Sequence, residues 1–164
     1  MSICEMRTQL QRLYPGKFIK IKIRHVADLT LHKKEVNALQ KLQNTDITPK
    51  MYSHNIIRIG KTKNYITYIV LENCGQSLME RYIPKEQWNE RGGPGRWVDK
   101  TYDGGEIDGD PFRDIPTDVQ AKAKKILKVL LSFGILYEDI HPGNFLINND
   151  GDVKIIDLEC YSLF

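Results

Sequence analysis

The stretch YEDIHPGNFLINNDGDVKIID, residues 137–157, constrains the fold of this chain more than any other segment. It sets Asp139, His141 and Asn144 in a polar loop and reaches Asp157 after two short apolar runs. The runs FLIN and VKII predict two strands, and the polar residues 148–152 between them predict the turn of a β-hairpin. Two carboxylates with an amide nearby suit Mg²⁺ and phosphate, although they also suit a polar surface turn.

A strand followed by a helix is predicted near the start of the chain. FIKIKI, residues 18–23, alternates strictly, so its isoleucines share one face while Phe18, Lys20 and Lys22 share the other. The next segment, LTLHKKEVNALQKLQN, has helical spacing, and Glu35 falls within its apolar stripe. A carboxylate that faces a core is costly unless it is paired, so this position requires a cation.

The rest of the chain completes a mixed order of elements. HNIIRIG and NYITYIVLENCG predict two strands joined by the polar turn 60–64. Residues 84–116 are rich in Gly, Pro and Asp and predict a long loop or insertion, and a helix is predicted from 119 to 133. Strand, helix, two strands, loop, helix and hairpin together predict an α+β fold.

Composition limits the possible functions. The 164 residues, 41% hydrophobic, are enough for one compact domain, with room for two small lobes. The net charge of +3 comes from interspersed charges, which makes nucleic-acid binding unlikely. Cys4, Cys74 and Cys160 form no metal-binding or disulfide pattern. With neither a signal-peptide pattern nor an apolar run of about 18 residues, we expect a soluble, intracellular and cytoplasmic protein without a membrane partner.

The spacing of the polar residues resembles that of the protein-kinase-like superfamily. Asp139 and Asn144 are five positions apart and Asp157 follows thirteen later, as in that family. The motifs D-I-H-P-G-N and I-I-D-L-E look most like the aminoglycoside and choline kinase branch. The resemblance implies a minimal bilobal fold. An antiparallel-sheet lobe with one helix would occupy residues 1–73, and a reduced, mainly helical lobe would occupy 74–164.

The same resemblance implies ATP and Mg²⁺ as cofactors. Asp139 would orient or deprotonate the acceptor hydroxyl, and Asn144 and Asp157 would bind Mg²⁺, with Asn144 also close to the nucleotide. Lys20 or Lys22 would contact the ATP phosphates and Glu35 would hold the lysine. Lys20 is favoured, because it leaves the longer connection to Glu35.

The segment YIVLENCG would bind the adenine base of ATP. By the resemblance, Glu72, Asn73 and Cys74 would lie beside the base, and Leu71 would form its back wall. His141 would brace the loop by hydrogen bonds, and Gly143 would allow a backbone turn that a side chain would obstruct.

Two functions therefore stay open. The first is an ATP-dependent phosphotransferase that acts on a protein Ser/Thr or a small-molecule hydroxyl. The second is a pseudokinase that docks on a partner kinase or host protein, because nothing before Lys20 resembles a glycine-rich phosphate loop and only Tyr14-Pro15-Gly16 offers a turn. The chain also resembles small kinase-like proteins found in viruses and as bacterial effectors. That resemblance implies a protein partner that completes or regulates the second lobe, and a location in the host cytoplasm.

Overall fold

The computed structural model describes residues 1–91 and 111–163, and the chain divides into two units, Met1–Asn73 and Cys74–Phe164. The described elements form a mixed α+β architecture with small antiparallel sheets, which confirms the predicted fold class. Within the described ranges, the helices are all too short or too polar to cross a membrane.

The first unit is a three-stranded antiparallel sheet with two helices. Its elements are α1 (Ile3–Leu13), β1 (Phe18–His25), a 3₁₀ turn (Val26–Asp28), α2 (Leu29–Leu42), β2 (Met51–Arg58) and β3 (Asn64–Leu71). The strand order is β1-β3-β2, and Lys20 lies opposite Ile69 on the neighbouring strand. The two strands β2 and β3 are joined by a short connection, as their sequences predict.

Helix α1 is an element that the sequence reasoning missed. Ser2 and Glu5 form a reciprocal capping box at its start, in which the Glu5 backbone N–H donates to Ser2 Oγ at 3.2 Å. Met6 and Leu10 on its buried side pack into a cluster with Ile19 and Ile21 of β1. The helix therefore covers the isoleucine face of the first strand.

The predicted alternation of β1 fails after Lys22. Ile23 is 56% exposed, whereas Arg24 is only 8% exposed and its Nε donates to Thr67 Oγ1 at 3.3 Å. The apolar cluster under α1 includes Ile19 and Ile21 but not Ile23. The isoleucine face is thus buried only where α1 covers it, and on the opposite face Arg24 is buried.

The second unit contains two further small antiparallel sheets and helix α5. Its elements are β4 (Gln76–Ser77), α3 (Leu78–Tyr82), α4 (Trp88–Arg91), α5 (Thr117–Ser132), β5 (Ile135–Tyr137), β6 (Phe145–Ile147), β7 (Val153–Ile155) and β8 (Tyr161–Leu163), with 3₁₀ turns at Lys85–Gln87 and Pro142–Asn144. The sheet orders are β4-β6-β7 and β5-β8. The predicted hairpin is present as β6 and β7, with Phe145 opposite Ile155.

Helix α5 supports the strands that carry the polar loop. It begins two residues before the predicted start, with Pro116 at its N-cap, and Asp118 lies in its first turn rather than at the cap. Its buried residues, Val119, Ala123, Ile126, Leu127 and Leu130, are on the side that packs against β5 and β7. The helix ends at Ser132, and Gly134, which follows the C-cap residue Phe133, has a φ of 73° in the left-handed region.

The predicted long loop 84–116 is only partly a loop. Residues 85–91 form the 3₁₀ turn and α4, while residues 92–110 lie outside the described part of the chain. Near its other end, Phe112 is fully buried and meets Phe145 edge to face, with ring centroids 5.2 Å apart. The second end of the segment is therefore part of the core beneath the hairpin.

Gly75 allows β4 to approach β6. A Cβ at this position would lie 2.2 Å from the Ile147 carbonyl oxygen, and its φ of 93° is unfavourable for other residues. The backbone at this position can therefore lie against Ile147 only because it carries no side chain.

Candidate functional site

Asp139 is at the centre of a hydrogen-bonded cluster in the second unit. It follows β5, and its side chain is 25% exposed. Its Oδ2 accepts from Asn144 Nδ2 at 3.0 Å and lies 3.5 Å from His141 Nε2. Hydrogen bonding from His141 lowers the pKa of the Asp139 carboxyl, and the opposing effect of burial is smaller. Asp139 is therefore ionised at neutral pH.

Asn144 is buried and its amide nitrogen is committed to the cluster. Besides the Asp139 carboxylate, Nδ2 donates to the Asp139 backbone oxygen at 3.0 Å and to Tyr137 Oη at 2.9 Å. Only 4% of the surface of Asn144 is exposed. Because every one of these bonds uses the nitrogen, the amide oxygen is the atom that Asn144 can present to a cation.

Tyr137 joins the loop to the segment after β7. Its hydroxyl shares its single proton between the backbone oxygens of Ile156 and Asp157, both at 3.3 Å, while it accepts from Asn144. The ring is buried, and burial raises the pKa of the Tyr137 hydroxyl well above its usual value, with the Asp139 and Asp157 charges adding to the effect. The hydroxyl thus keeps its proton and remains a donor.

His141 braces the loop in one tautomer. Its Nδ1 accepts from the Gly143 backbone N–H at 3.1 Å, so the ring proton is on Nε2, which faces Asp139. A Cβ at Gly143 would lie 2.9 Å from this imidazole. The loop needs glycine here because a side chain would collide with the ring, in agreement with the obstruction that the sequence analysis expected.

Asp157 is held in an unusual backbone conformation beside Asn144. Its φ is 62°, in the left-handed region that few residues other than glycine adopt. The preceding residue, Ile156, donates its N–H to the Asn144 backbone oxygen at 2.9 Å. Such strain persists only where the surroundings impose it, and here Tyr137 and Asn144 provide the bonds that do so.

The donor set of this cluster suits a hard divalent cation. The Asp157 carboxylate and the Asn144 amide oxygen are the kinds of ligand that Mg²⁺ prefers, together with phosphate oxygens and water. The two residues are joined through Tyr137, and a backbone hydrogen bond links Asn144 to Ile156, the residue before Asp157. An ionised Asp139 beside them can accept a hydrogen bond from a hydroxyl. The residues of this unit therefore fit metal-assisted chemistry on a phosphate.

The first unit contains the other predicted pair. Lys20 Nζ lies 2.9 and 2.7 Å from the two carboxylate oxygens of Glu35. The Glu35 side chain is 2% exposed and that of Lys20 is 16% exposed. The structure thus pairs Lys20, the lysine that the sequence analysis favoured, with the carboxylate in the apolar stripe of α2. Their role as catalytic or nucleotide-binding residues stays a prediction.

The residues predicted to surround an adenine lie at the end of β3 and just beyond it. Leu71 and Cys74 are buried. Glu72 is fixed by Lys50, because the Lys50 backbone N–H donates to Glu72 Oε2 at 3.1 Å and the Glu72 N–H donates to the Lys50 oxygen at 2.8 Å. A contact of Leu71, Glu72 or Cys74 with a base stays a prediction.

Comparison with known proteins gives one finding. The family model described as lipopolysaccharide core biosynthesis protein (WaaY) matches residues 100–163. The match spans less than half of the chain, and it includes Asp139, His141, Asn144 and Asp157. It is consistent with a kinase-like transferase at this coarse level. The search of curated proteins gave no match.

This finding corrects the resemblance drawn from the sequence. The protein-kinase-like superfamily, with its aminoglycoside and choline kinase branch, was the wrong assignment, because the family that matches these motifs is one of lipopolysaccharide core biosynthesis. Short motifs around an Asp-Asn-Asp set are shared by several kinase-like families, so the motif alone could not choose among them.

Tyr137 is the residue whose role sequence reasoning missed. It stands two positions before Asp139, at the end of an apolar run. A tyrosine in a buried strand needs a partner for its hydroxyl, and this was the available signal.

Proposed function

We propose that this protein is an ATP- and Mg²⁺-dependent phosphotransferase that moves the γ-phosphate of ATP to a hydroxyl of a saccharide. The observation that carries the proposal is the second-unit cluster, in which an ionised Asp139 is bonded to Asn144, and Asn144 is tied to the segment that bears Asp157. The match to a lipopolysaccharide core biosynthesis family supports transfer to a sugar rather than to a protein side chain.

The role proposed for Asp139 follows from its lowered pKa. A weakly basic carboxylate orients an acceptor hydroxyl by accepting its hydrogen bond, and it takes up the proton only as the hydroxyl oxygen bonds to phosphorus. Asn144 and His141 fix the direction of the carboxylate. Positioning of this kind is the main contribution that a protein makes to phosphoryl transfer.

Asn144 and Asp157 are the proposed ligands of Mg²⁺. When bound, the ion neutralises negative charge on the phosphate oxygens. The chain's own contribution is to fix the two oxygen donors, which it does through Tyr137 and the Ile156–Asn144 backbone bond.

Lys20 is proposed to contact the ATP phosphates, with Glu35 holding its ammonium group. The bidentate pairing at 2.7 and 2.9 Å fixes the ammonium group, while the Lys20 side chain retains partial exposure. The proposed contacts of Leu71, Glu72 and Cys74 with adenine belong to the same proposal.

A second candidate is a nucleotide-binding module without turnover. It is favoured by the turn before β1, where Tyr14-Pro15-Gly16 stands in place of a glycine-rich loop. Such a module would act on a partner kinase or host protein, as a pseudokinase does.

One experiment separates these functions. We expect Mg·ATP to raise the thermal midpoint of the protein, and ATP with EDTA to raise it less, because ligand binding to the folded state stabilises it. The Asp139→Asn variant should keep the Mg·ATP shift but lose γ-phosphate transfer by roughly 10²- to 10⁴-fold. Asp118→Asn, in the first turn of α5, is the matched control.

The outcomes are distinct. Binding with no transfer to any saccharide or protein hydroxyl would favour the second candidate. No shift of the midpoint with Mg·ATP would reject both.

A further inference from the structure

A groove of about 600 Å³ lies in the second unit between α3 and the turn that leads to α4. Its lining combines two aromatic rings, Tyr82 and Trp88, with two basic side chains, Arg81 and Lys85. The volume is in the range of sites that hold one or two sugar rings or a drug-sized molecule.

The aromatic part of the groove is fixed by a hydrogen bond. Trp88 Nε1 donates to the Ile83 backbone oxygen at 2.8 Å, so the indole is anchored against the turn that contains Pro84. The ring remains partly exposed. An anchored ring with an accessible surface can stack on the apolar face of a sugar without losing conformational freedom on binding.

The groove carries positive charge beside its aromatic rings. Among the described residues that line it, Glu80 is the one acidic side chain, and its Oε1 accepts from Ser77 Oγ at 3.0 Å in the capping box of α3. Arg81 Cζ lies 5.8 Å from the Tyr82 ring and Lys85 Nζ lies 5.9 Å from the Trp88 ring. The two cations are thus next to the rings, and both are exposed.

The groove is one helix away from the polar loop. Leu78 and Met79 are the buried residues of α3, and a Cβ at Gly143 would lie 3.7 Å from Met79 Cε. The other side of α3 carries Glu80 and Arg81 at the groove. Arg81 Nη1 also donates to the Asn148 backbone oxygen at 3.4 Å, which links the groove to the β6–β7 turn.

From these observations we propose that the groove binds an acidic saccharide, namely a sugar with a phosphate or carboxylate group. The sugar ring stacks on Trp88, and Arg81 and Lys85 bind the anionic group. The proposal rests on the proposed function, because the groove would hold a non-reacting part of the acceptor. Binding energy from such a remote part is what accelerates transfer at the reacting hydroxyl.

Trp88 supplies a direct readout. The chain has two tryptophans, so in the Trp97→Phe variant the emission comes from Trp88 alone. The probe is a phosphorylated lipopolysaccharide core oligosaccharide freed of its lipid, compared with the same oligosaccharide after phosphatase treatment, with inorganic phosphate and with an acidic peptide.

We expect the phosphorylated oligosaccharide to cause a saturable change of Trp88 emission. The Arg81→Ala/Lys85→Ala double variant in the same background should bind it roughly 10- to 100-fold more weakly, as expected for lost charge-assisted hydrogen bonds. Lys125→Ala/Lys128→Ala on the exposed side of α5 removes the same charge elsewhere and should bind normally.

Several results would overturn the proposal: equal binding of the dephosphorylated oligosaccharide, no loss in the Arg81/Lys85 variant, or tighter binding of the peptide or of phosphate alone. The Mg·ATP shift of the thermal midpoint should be the same in both double variants. If the groove does not bind the phosphorylated oligosaccharide but Mg·ATP still raises the thermal midpoint, only the groove proposal is rejected. If Mg·ATP does not raise the thermal midpoint of the wild type, the proposed function itself is rejected.

Discussion

The Lys20–Glu35 pair of the first unit and the Asp139–Asn144 cluster of the second are held by different interactions. The first joins two full charges, the Lys20 ammonium group and the Glu35 carboxylate, and the carboxylate is almost completely buried. The second is a set of hydrogen bonds around one partly exposed carboxylate, which Asn144 and His141 contact directly and to which the Tyr137 hydroxyl is joined through Asn144. Removing one partner of a buried charge pair leaves the other charge uncompensated, whereas the partly exposed cluster can lose one neutral partner and keep its other hydrogen bonds.

The largest expected effect is on the first unit. Lys20→Met leaves the Glu35 carboxylate buried without this cation and should lower the free energy of unfolding by about 3 to 5 kcal/mol. The double variant Lys20→Met/Glu35→Met, which replaces both charges with apolar groups, should recover most of this loss. Urea denaturation gives the measurement, and Lys61→Met in the exposed turn before β3 is the control.

If Lys20→Met costs less than about 1 kcal/mol, the pair is no more than an ordinary surface salt bridge. The contrast between the two regions would then disappear.

Tyr137→Phe should have a smaller effect on stability. The variant removes one hydroxyl and leaves the Ile156 and Asp157 oxygens without this donor, at an expected cost of about 1 to 3 kcal/mol. Asn144 keeps its two bonds to Asp139, so the loop should persist. Affinity for Mg·ATP, measured by calorimetry, should fall because Asp157 loses a restraint on its backbone.

Tyr65→Phe, at the start of β3, removes a hydroxyl from the other unit and should leave Mg·ATP affinity unchanged. Equal effects of the two variants would show that Tyr137 has no positioning role.

The smallest expected effect is a dependence on pH. Because the pKa of Asp139 is lowered on folding, its ionised form stabilises the protein above the unfolded-state value of about 3.9, and this contribution is lost as pH falls through the lower folded value. The difference in unfolding free energy between the wild type and Asp139→Asn should be constant from pH 7 to about 5, and should shrink below about pH 4. Denaturation at a series of pH values measures it.

A difference that already declines between pH 7 and 5 would mean that burial, and not His141, dominates the pKa of Asp139. The carboxylate would then be a stronger base than proposed.

The sequence was sufficient to predict those elements whose pattern lies within a few neighbouring residues. The period of FIKIKI and the turn between FLIN and VKII predicted β1 and the β6–β7 hairpin, because alternation and turn residues are properties of neighbouring positions. Glu35 could be identified as needing a cation from its position in an apolar stripe, and Lys20 provides it. The α+β class followed from the order of these elements.

Other features depend on contacts between distant segments. Helix α1 has a polar average composition; its Ser2–Glu5 capping box was the local signal for it, whereas its packing on Ile19 and Ile21 depends on the fold. The short strands β5 and β8 pair over more than twenty residues of chain, which no local period reveals. For the same reason, the hydroxyl of Tyr137 could not be connected with Ile156 and Asp157 before the fold was known.

The central claim, that Asn144 and Asp157 hold a divalent cation carrying ATP, is tested most directly with Mn²⁺ in place of Mg²⁺. Both ions prefer octahedral oxygen ligands, and Mn²⁺ is visible by electron paramagnetic resonance. A titration with ATP should show a complex of protein, Mn²⁺ and nucleotide in the wild type and in Asp150→Asn, a control in the exposed hairpin turn. In Asp157→Asn the affinity for Mn·ATP should be at least about tenfold lower, as expected for a lost charged ligand. Equal affinity in all three proteins, or no complex in the wild type, would contradict the account.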